Sequence, residues 1–180
     1  MRSKASVIAL ERLQFANGYS RLEALLVLYR HLPQRAFWRL FGEEWSRCES
    51  ITRQRHVLRT LFLRRFQSGG APIFEAMSVK DHRAYDALPD RITIFRGCYA
   101  HNRLGFSWSL SAPSAVRYPF LRQYRRPGQP VLLTASVHKD KIAFVTVATG
   151  VADVVVLPQH RRIVGTQPIE DQGGAESNVA

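Results

Sequence analysis

Apolar residues recur at spacings of three and four through the first part of the chain, then change to alternation. Leu22, Leu25, Leu26, Tyr29 and Leu32 fall on one face of a predicted helix. Pro33 stops that helix or opens the next. Phe37, Trp38, Phe41 and Trp45 predict a second, aromatic-rich helix. Ile51, Val57, Leu58, Leu61 and Phe62 mark a third, whose other face carries Arg53, Arg55, Arg59, Arg64 and Arg65. Gly69-Gly70-Ala71-Pro72 breaks the pattern. A short helix follows, opened by a capping-box spacing of Ser78 and Asp81 and closed by Leu88-Pro89-Asp90.

From residue 91 the pattern is that of strands. Residues 91–96 are short and β-branched, and residues 105–110 alternate. Ser111 is placed to cap a helix that has Pro113 in its first turn. Residues 125–130 read as a loop. Three strands are predicted at 131–137, 141–147 and 153–157, with His138-Lys139-Asp140 as the turn between the first two. Residues from Gln167 are small and polar and predict a loose tail. Helices first and strands afterwards imply an α+β fold. The expected organisation is a helical extension over 1–70, a core over 71–166 and a tail over 167–180.

Composition narrows the class. The chain has 180 residues, 46% of them hydrophobic and 22% charged, enough apolar material for a packed core. Its two cysteines, Cys48 and Cys98, form no disulfide framework and no zinc pattern, and the six histidines show no metal-ligand pairing. The expectation is therefore no metal and a reducing, cytoplasmic setting. Glu11 interrupts the first apolar stretch, which argues against a signal peptide. Apolar runs such as 24–29 are too short to span a bilayer, so no membrane partner is expected.

Charge changes the picture further. Lys and Arg number 26 against 14 Asp and Glu, a net of +12. Residues 91–166 carry 11 basic side chains and only two acidic ones. A polyanionic partner, nucleic acid above all, is one reading, and a charge that only keeps the protein in solution is the other. The arginines of the third helix fit a solvated helix face equally well.

The sequence holds no Gly-x-Gly-x-x-Gly run and no Walker phosphate loop. Cys98 and His101 could be taken as nucleophile and base, but no third orienting group accompanies them. Three other features stand out. A strand ends in Phe95-Arg96-Gly97, which puts a guanidinium beside a glycine that lets a ligand approach the backbone. In Gly105-Phe106-Ser107-Trp108-Ser109 the two hydroxyls share one face of a strand. Asp153 opens the last predicted strand and is the only acid between Asp140 and Glu170. Singly, each reads as well as a surface turn, an amphipathic strand or an ion-pair partner.

Taken in order, the three resemble the mono-ADP-ribosyltransferases. That family has an Arg at the end of an early strand, a Ser-x-Ser strand after it, and a Glu near the start of a late strand. Arg96-Gly97, Ser107-Trp108-Ser109 and Ala152-Asp153-Val154 are similar, the middle run in the form of bacterial and phage members, and Ala115 and Tyr118 match the helix that follows. The resemblance covers roughly 85–166 and leaves out the helical first half. Two positions depart from the pattern. Asp153 stands where the family has Glu, with a reach shorter by one bond, about 1.5 Å. Val151 stands where a Glu or Gln helps choose the target nucleophile, which argues against arginine as the modified group.

The resemblance implies a core of two small packed β-sheets and NAD as substrate. It implies Asp153, Arg96 and Ser107 as catalytic residues, with Arg96, Gly97, Ser107, Trp108, Ser109 and Tyr118 at the dinucleotide. Arg96 would hold a phosphate or ribose, the Gly97 backbone the nicotinamide amide, and Asp153 the ribose 2′-hydroxyl. Tyr118 would stack on nicotinamide, or else belong to the helix core. The acceptor would be RNA, DNA or a nucleic-acid-bound protein, in the setting of a toxin or phage defence. The alternatives are an inactive member of the fold that binds nucleic acid, an NAD glycohydrolase, and an interaction protein that works through its helical half.

Overall fold

The computed structural model describes residues 4–49, 51–148 and 150–170. Its N-terminal half is helical: α1 (Lys4–Gln14), α2 (Gly18–Leu28), α3 (Gln34–Trp45), α4 (Arg55–Gly69) and the short α5 (Val79–Asp86). The remainder is mostly strand: β1 (Arg91–Cys98), β2 (Ser107–Ser109), α6 (Ala112–Arg117), β3 (Val131–His138), β4 (Ile142–Ala148), β5 (Val151–Val156) and β6 (Arg161–Pro168). The fold is α+β.

Local chemistry explains the element ends. Asn17 caps α2 by accepting from the backbone N–H groups of Tyr19 and Ser20. Ser78 and Asp81 form a reciprocal capping box at α5. Ser111 caps α6, and proline stands in its first turn.

The six strands form one sheet in the order β4-β5-β2-β1-β3-β6, with every pairing antiparallel. β1 and β3 pair over their full length, whereas β1 and β2 meet at a single pair, Phe95 opposite Ser109. The sheet is thus two three-stranded halves joined by one bridge.

One apolar cluster runs through the helices and the sheet. Phe62 of α4 stands at its centre, with ring centroids 5.8 Å from Trp38, 5.8 Å from Phe106 and 6.3 Å from Phe144. Truncating such a ring costs about 3–5 kcal/mol. The faces predicted from spacing are the buried ones: Leu22 and Leu25, then Phe37, Trp38, Phe41 and Trp45, then Leu58, Leu61 and Phe62.

Several expectations change. α1 is an additional helix, anchored by Ala9 and Leu13. Val57 was expected on the apolar face of its helix but is half exposed, because α4 turns Leu58 and Leu61 inward instead. β2 is shorter than 105–110, and Asp153 is the third residue of its strand rather than the first. β6 is an edge strand with both faces largely exposed, so it lacks the alternation by which a strand is recognised. It also moves the start of the expected tail. Residues 167–168 still pair with β3, and Ile169 is buried with its N–H donating to the Pro130 carbonyl at 2.9 Å. The rest of that segment, 171–180, lies outside the described residues. Among the described residues no helix is long and apolar enough to cross a membrane.

Candidate functional site

The single bridge between β1 and β2 leaves the two half-sheets splayed, and a cavity of about 310 Å³ opens there. α6 and the segment after it cover one side, and Trp45, Ser46, Cys48, Glu49, Ile51 and Thr52 from the helical half supply another wall. Arg96, Gly97, Ser107, Trp108, Ser109, Tyr118 and Asp153, which the sequence singles out, all border this cavity.

Asp153 is fixed from both neighbours. Its Cα pairs with Ser109 on β2 and with Thr146 on β4. The Tyr118 hydroxyl donates to its Oδ2 at 2.8 Å, while Oδ1 is buried with no hydrogen-bond partner. Burial pushes the carboxyl pKa up, opposed by the Tyr118 hydrogen bond, by nearby Ser109 and by the Arg96 charge. Burial and then the Asp153 charge push the Tyr118 phenol up in turn, so it remains a hydrogen-bond donor.

Arg96 anchors a loop. Its Nε and Nη2 donate to the Asn102 carbonyl at 3.3 and 3.1 Å, and its Nη1 donates to the Ser107 carbonyl at 2.6 Å. Three of the five guanidinium N–H groups therefore pin the loop that leads into β2. Gly105 makes room for this, since a Cβ there would come within 2.2 Å of Arg96 Nη2. Burial lowers the Arg96 pKa, against the influence of Cys98, Tyr124 and Asp153.

Gly97 also has a packing reason. An added Cβ would lie 1.9 Å from the Ala115 carbonyl oxygen, so only glycine lets α6 rest on β1. Trp108 borders the cavity, but its indole belongs to the main core. It donates to the Gly105 carbonyl at 3.3 Å and lies under the Arg161 guanidinium at 4.8 Å. Ser109 accepts from the Ser111 N–H at 3.2 Å.

Sequence reasoning missed the contribution of the helical half. Trp45 Nε1 donates to Ser107 Oγ at 3.1 Å. Glu49 and Cys48 follow it along the wall, and Tyr124 reaches in from the far side. No local pattern marks these residues, because they meet the site only through tertiary packing. Burial, with Glu44 nearby, pushes the Cys48 thiol pKa up to about 12, although Arg21 acts the other way, so the thiol is not activated. Burial also raises the Cys98 pKa, while His101 is exposed and stacks on Tyr99. That pair has no activated thiol to offer.

The chain matches no protein-family model, no curated protein and no solved structure. The chemistry of the arrangement stands on its own. A buried carboxylate with one unpaired oxygen, flanked by hydroxyls and aromatic rings, can stabilise a developing cation and accept a hydrogen bond from a ligand hydroxyl.

Proposed function

We propose that the protein is an NAD-dependent mono-ADP-ribosyltransferase, passing ADP-ribose from NAD to a macromolecular acceptor and releasing nicotinamide. The observation that carries this reading is the meeting of Arg96, Ser107, Ser109, Tyr118 and Asp153 around one cavity, with Asp153 Oδ1 buried and unpaired. These residues come from separate stretches of the chain, and their order is that of the resembled family.

The reaction asks little covalent chemistry of the protein. The ribose C1′–nicotinamide bond breaks, its electron pair leaves with the nicotinamide, and the ribose becomes oxocarbenium-like. The Asp153 carboxylate would accept from the ribose 2′-hydroxyl and stabilise the cation, with Tyr118 bonded to its Oδ2. Ser107, held by Trp45, orients the cavity wall. Arg96 acts first as the anchor of the 102–107 loop, and the same guanidinium would offer a phosphate or ribose its remaining N–H groups. The Gly97 backbone and Tyr118 ring would contact nicotinamide.

The one-residue bridge between β1 and β2 supports reading the sheet as the two packed sheets of such a core. Two free, buried cysteines fit a cytoplasmic protein. Nucleic acid is the acceptor class favoured by charge. Exposed Arg117, Arg122 and Arg126 stand beside Leu121, Gln123 and Tyr124, which line the cavity. A second reading, an inactive member of the fold that binds nucleic acid, is favoured by Asp153 in place of Glu.

The experiment is nicotinamide release from NAD by the purified protein, with and without added RNA, DNA and protein. Asp153→Asn is the control, since an Arg96 substitution would disturb the loop as well. Release that depends on an acceptor and disappears in the control supports the transferase. Absence of both release and NAD binding leaves the nucleic-acid reading, tested by binding against salt concentration.

A further inference from the structure

A second carboxylate faces the same cavity, and it comes from the helical half. Glu49 lines the wall with Asp153. Its backbone N–H donates to the Gly18 carbonyl at 2.9 Å, and its side chain lies against the first turn of α2, so close that a Cβ at Gly18 would fall 2.6 Å from Oε1. The side chain thus rests against α2, and it forms no salt bridge among the described residues. In a chain of net charge +12 such a group stands out.

Two tyrosines join the carboxylates along the wall. Tyr118 donates to Asp153, and the Tyr118 and Tyr124 ring centroids are 6.0 Å apart. Burial and then the Glu49 charge raise the Tyr124 phenol pKa, with Asp153 adding to the effect. Two carboxylate residues lining one cavity suit the cleavage of a glycosidic bond, where one group meets the cationic sugar and the other serves the nucleophile.

We propose that Glu49 is the general base for the acceptor, which is then a neutral nucleophile carrying an O–H or N–H proton. This rests on the transferase reading. As the C1′–nicotinamide bond breaks, the nucleophile forms its bond to C1′, and its proton passes to the Glu49 carboxylate and from there to solvent. The helical half thereby completes the active site.

Azide separates this role from a structural one, because it is an anion with no proton to lose. Wild type, Glu49→Ala, Glu49→Gln and Asp153→Asn are assayed for nicotinamide release, NAD affinity by calorimetry and thermal melting, with and without sodium azide. Both Glu49 substitutions are expected to slow release about a hundredfold, with NAD affinity within about twofold of wild type. Azide is expected to restore release by Glu49→Ala and yield an azido-ADP-ribose product, but not to restore Asp153→Asn. Normal release by Glu49→Ala, or a loss that azide does not relieve, overturns the role of Glu49 while the transferase reading stands. A wild type that neither binds NAD nor releases nicotinamide removes both.

Discussion

Trp45 donates its indole N–H to the Ser107 hydroxyl at 3.1 Å, across a sequence separation of 62 residues. The last turn of α3 is thereby tied to the strand that carries the site hydroxyls. Trp45→Phe keeps an aromatic ring in the core but loses the donor and part of the buried ring system packed on Phe41, Phe62 and Phe144. It is expected to cost about 2–3 kcal/mol of stability and to slow nicotinamide release several-fold. Urea unfolding and the release assay check this; an unchanged rate would mean that Ser107 is positioned without Trp45.

Asp153 carries a stability cost. Its carboxyl pKa is raised in the folded protein, chiefly by burial. The folded state thus holds that proton more tightly than the unfolded chain does. Stability accordingly falls as pH rises from the unfolded pKa through the folded one, and the penalty is complete above it. Asp153→Asn is therefore expected to raise Tm at pH 7, to change it little near pH 3, and to lower nicotinamide release by at least about a hundredfold. A lower Tm at pH 7 would show that the carboxylate is stabilising in place.

Tyr118 holds Asp153 Oδ2 and opposes the rise in its pKa. Removing the hydroxyl in Tyr118→Phe is expected to push the Asp153 pKa higher still. If the carboxylate is the working form, the acidic limb of the pH-rate profile moves to higher pH, and the rate at pH 7 falls. An acidic limb that stays in place would separate Tyr118 from the working carboxylate.

The glycines and Arg96 are expected to act on the fold before they act on the ligand. Gly97→Ala drives a methyl group into the Ala115 carbonyl and should destabilise by about 1–3 kcal/mol. Arg96→Ala leaves the Asn102 and Ser107 carbonyls without their donor, at about 1–3 kcal/mol for each group left buried and unpaired. Denaturant unfolding measures both. A wild-type midpoint for Arg96→Ala, with NAD affinity lost, would make Arg96 a ligand group alone.

Much of the local structure is legible without coordinates, because it rests on interactions between near neighbours. The buried faces of α2, α3 and α4 follow from spacing, and the caps at Ser78 and Ser111 follow from side chains that satisfy nearby N–H groups. The seven residues that the resemblance singles out border one cavity. Their individual tasks were not legible in the same way. Arg96 read as a ligand group, but most of its donors hold backbone carbonyls, and whether a guanidinium faces a ligand or a loop depends on where that loop folds back.

Spacing along the chain decides which segments become helix or strand, because backbone geometry repeats every 3.6 or every two residues and each residue reports it. Tertiary packing decides what spacing does not encode. The exposed edge strand β6 has no buried face to mark it. The single Phe95–Ser109 bridge opens the cavity, and the packing of α3 against the sheet brings Trp45 and Glu49 to its wall. These contacts form between residues far apart in the chain, where the free energy of burying one shared core, rather than any local pattern, selects the partner.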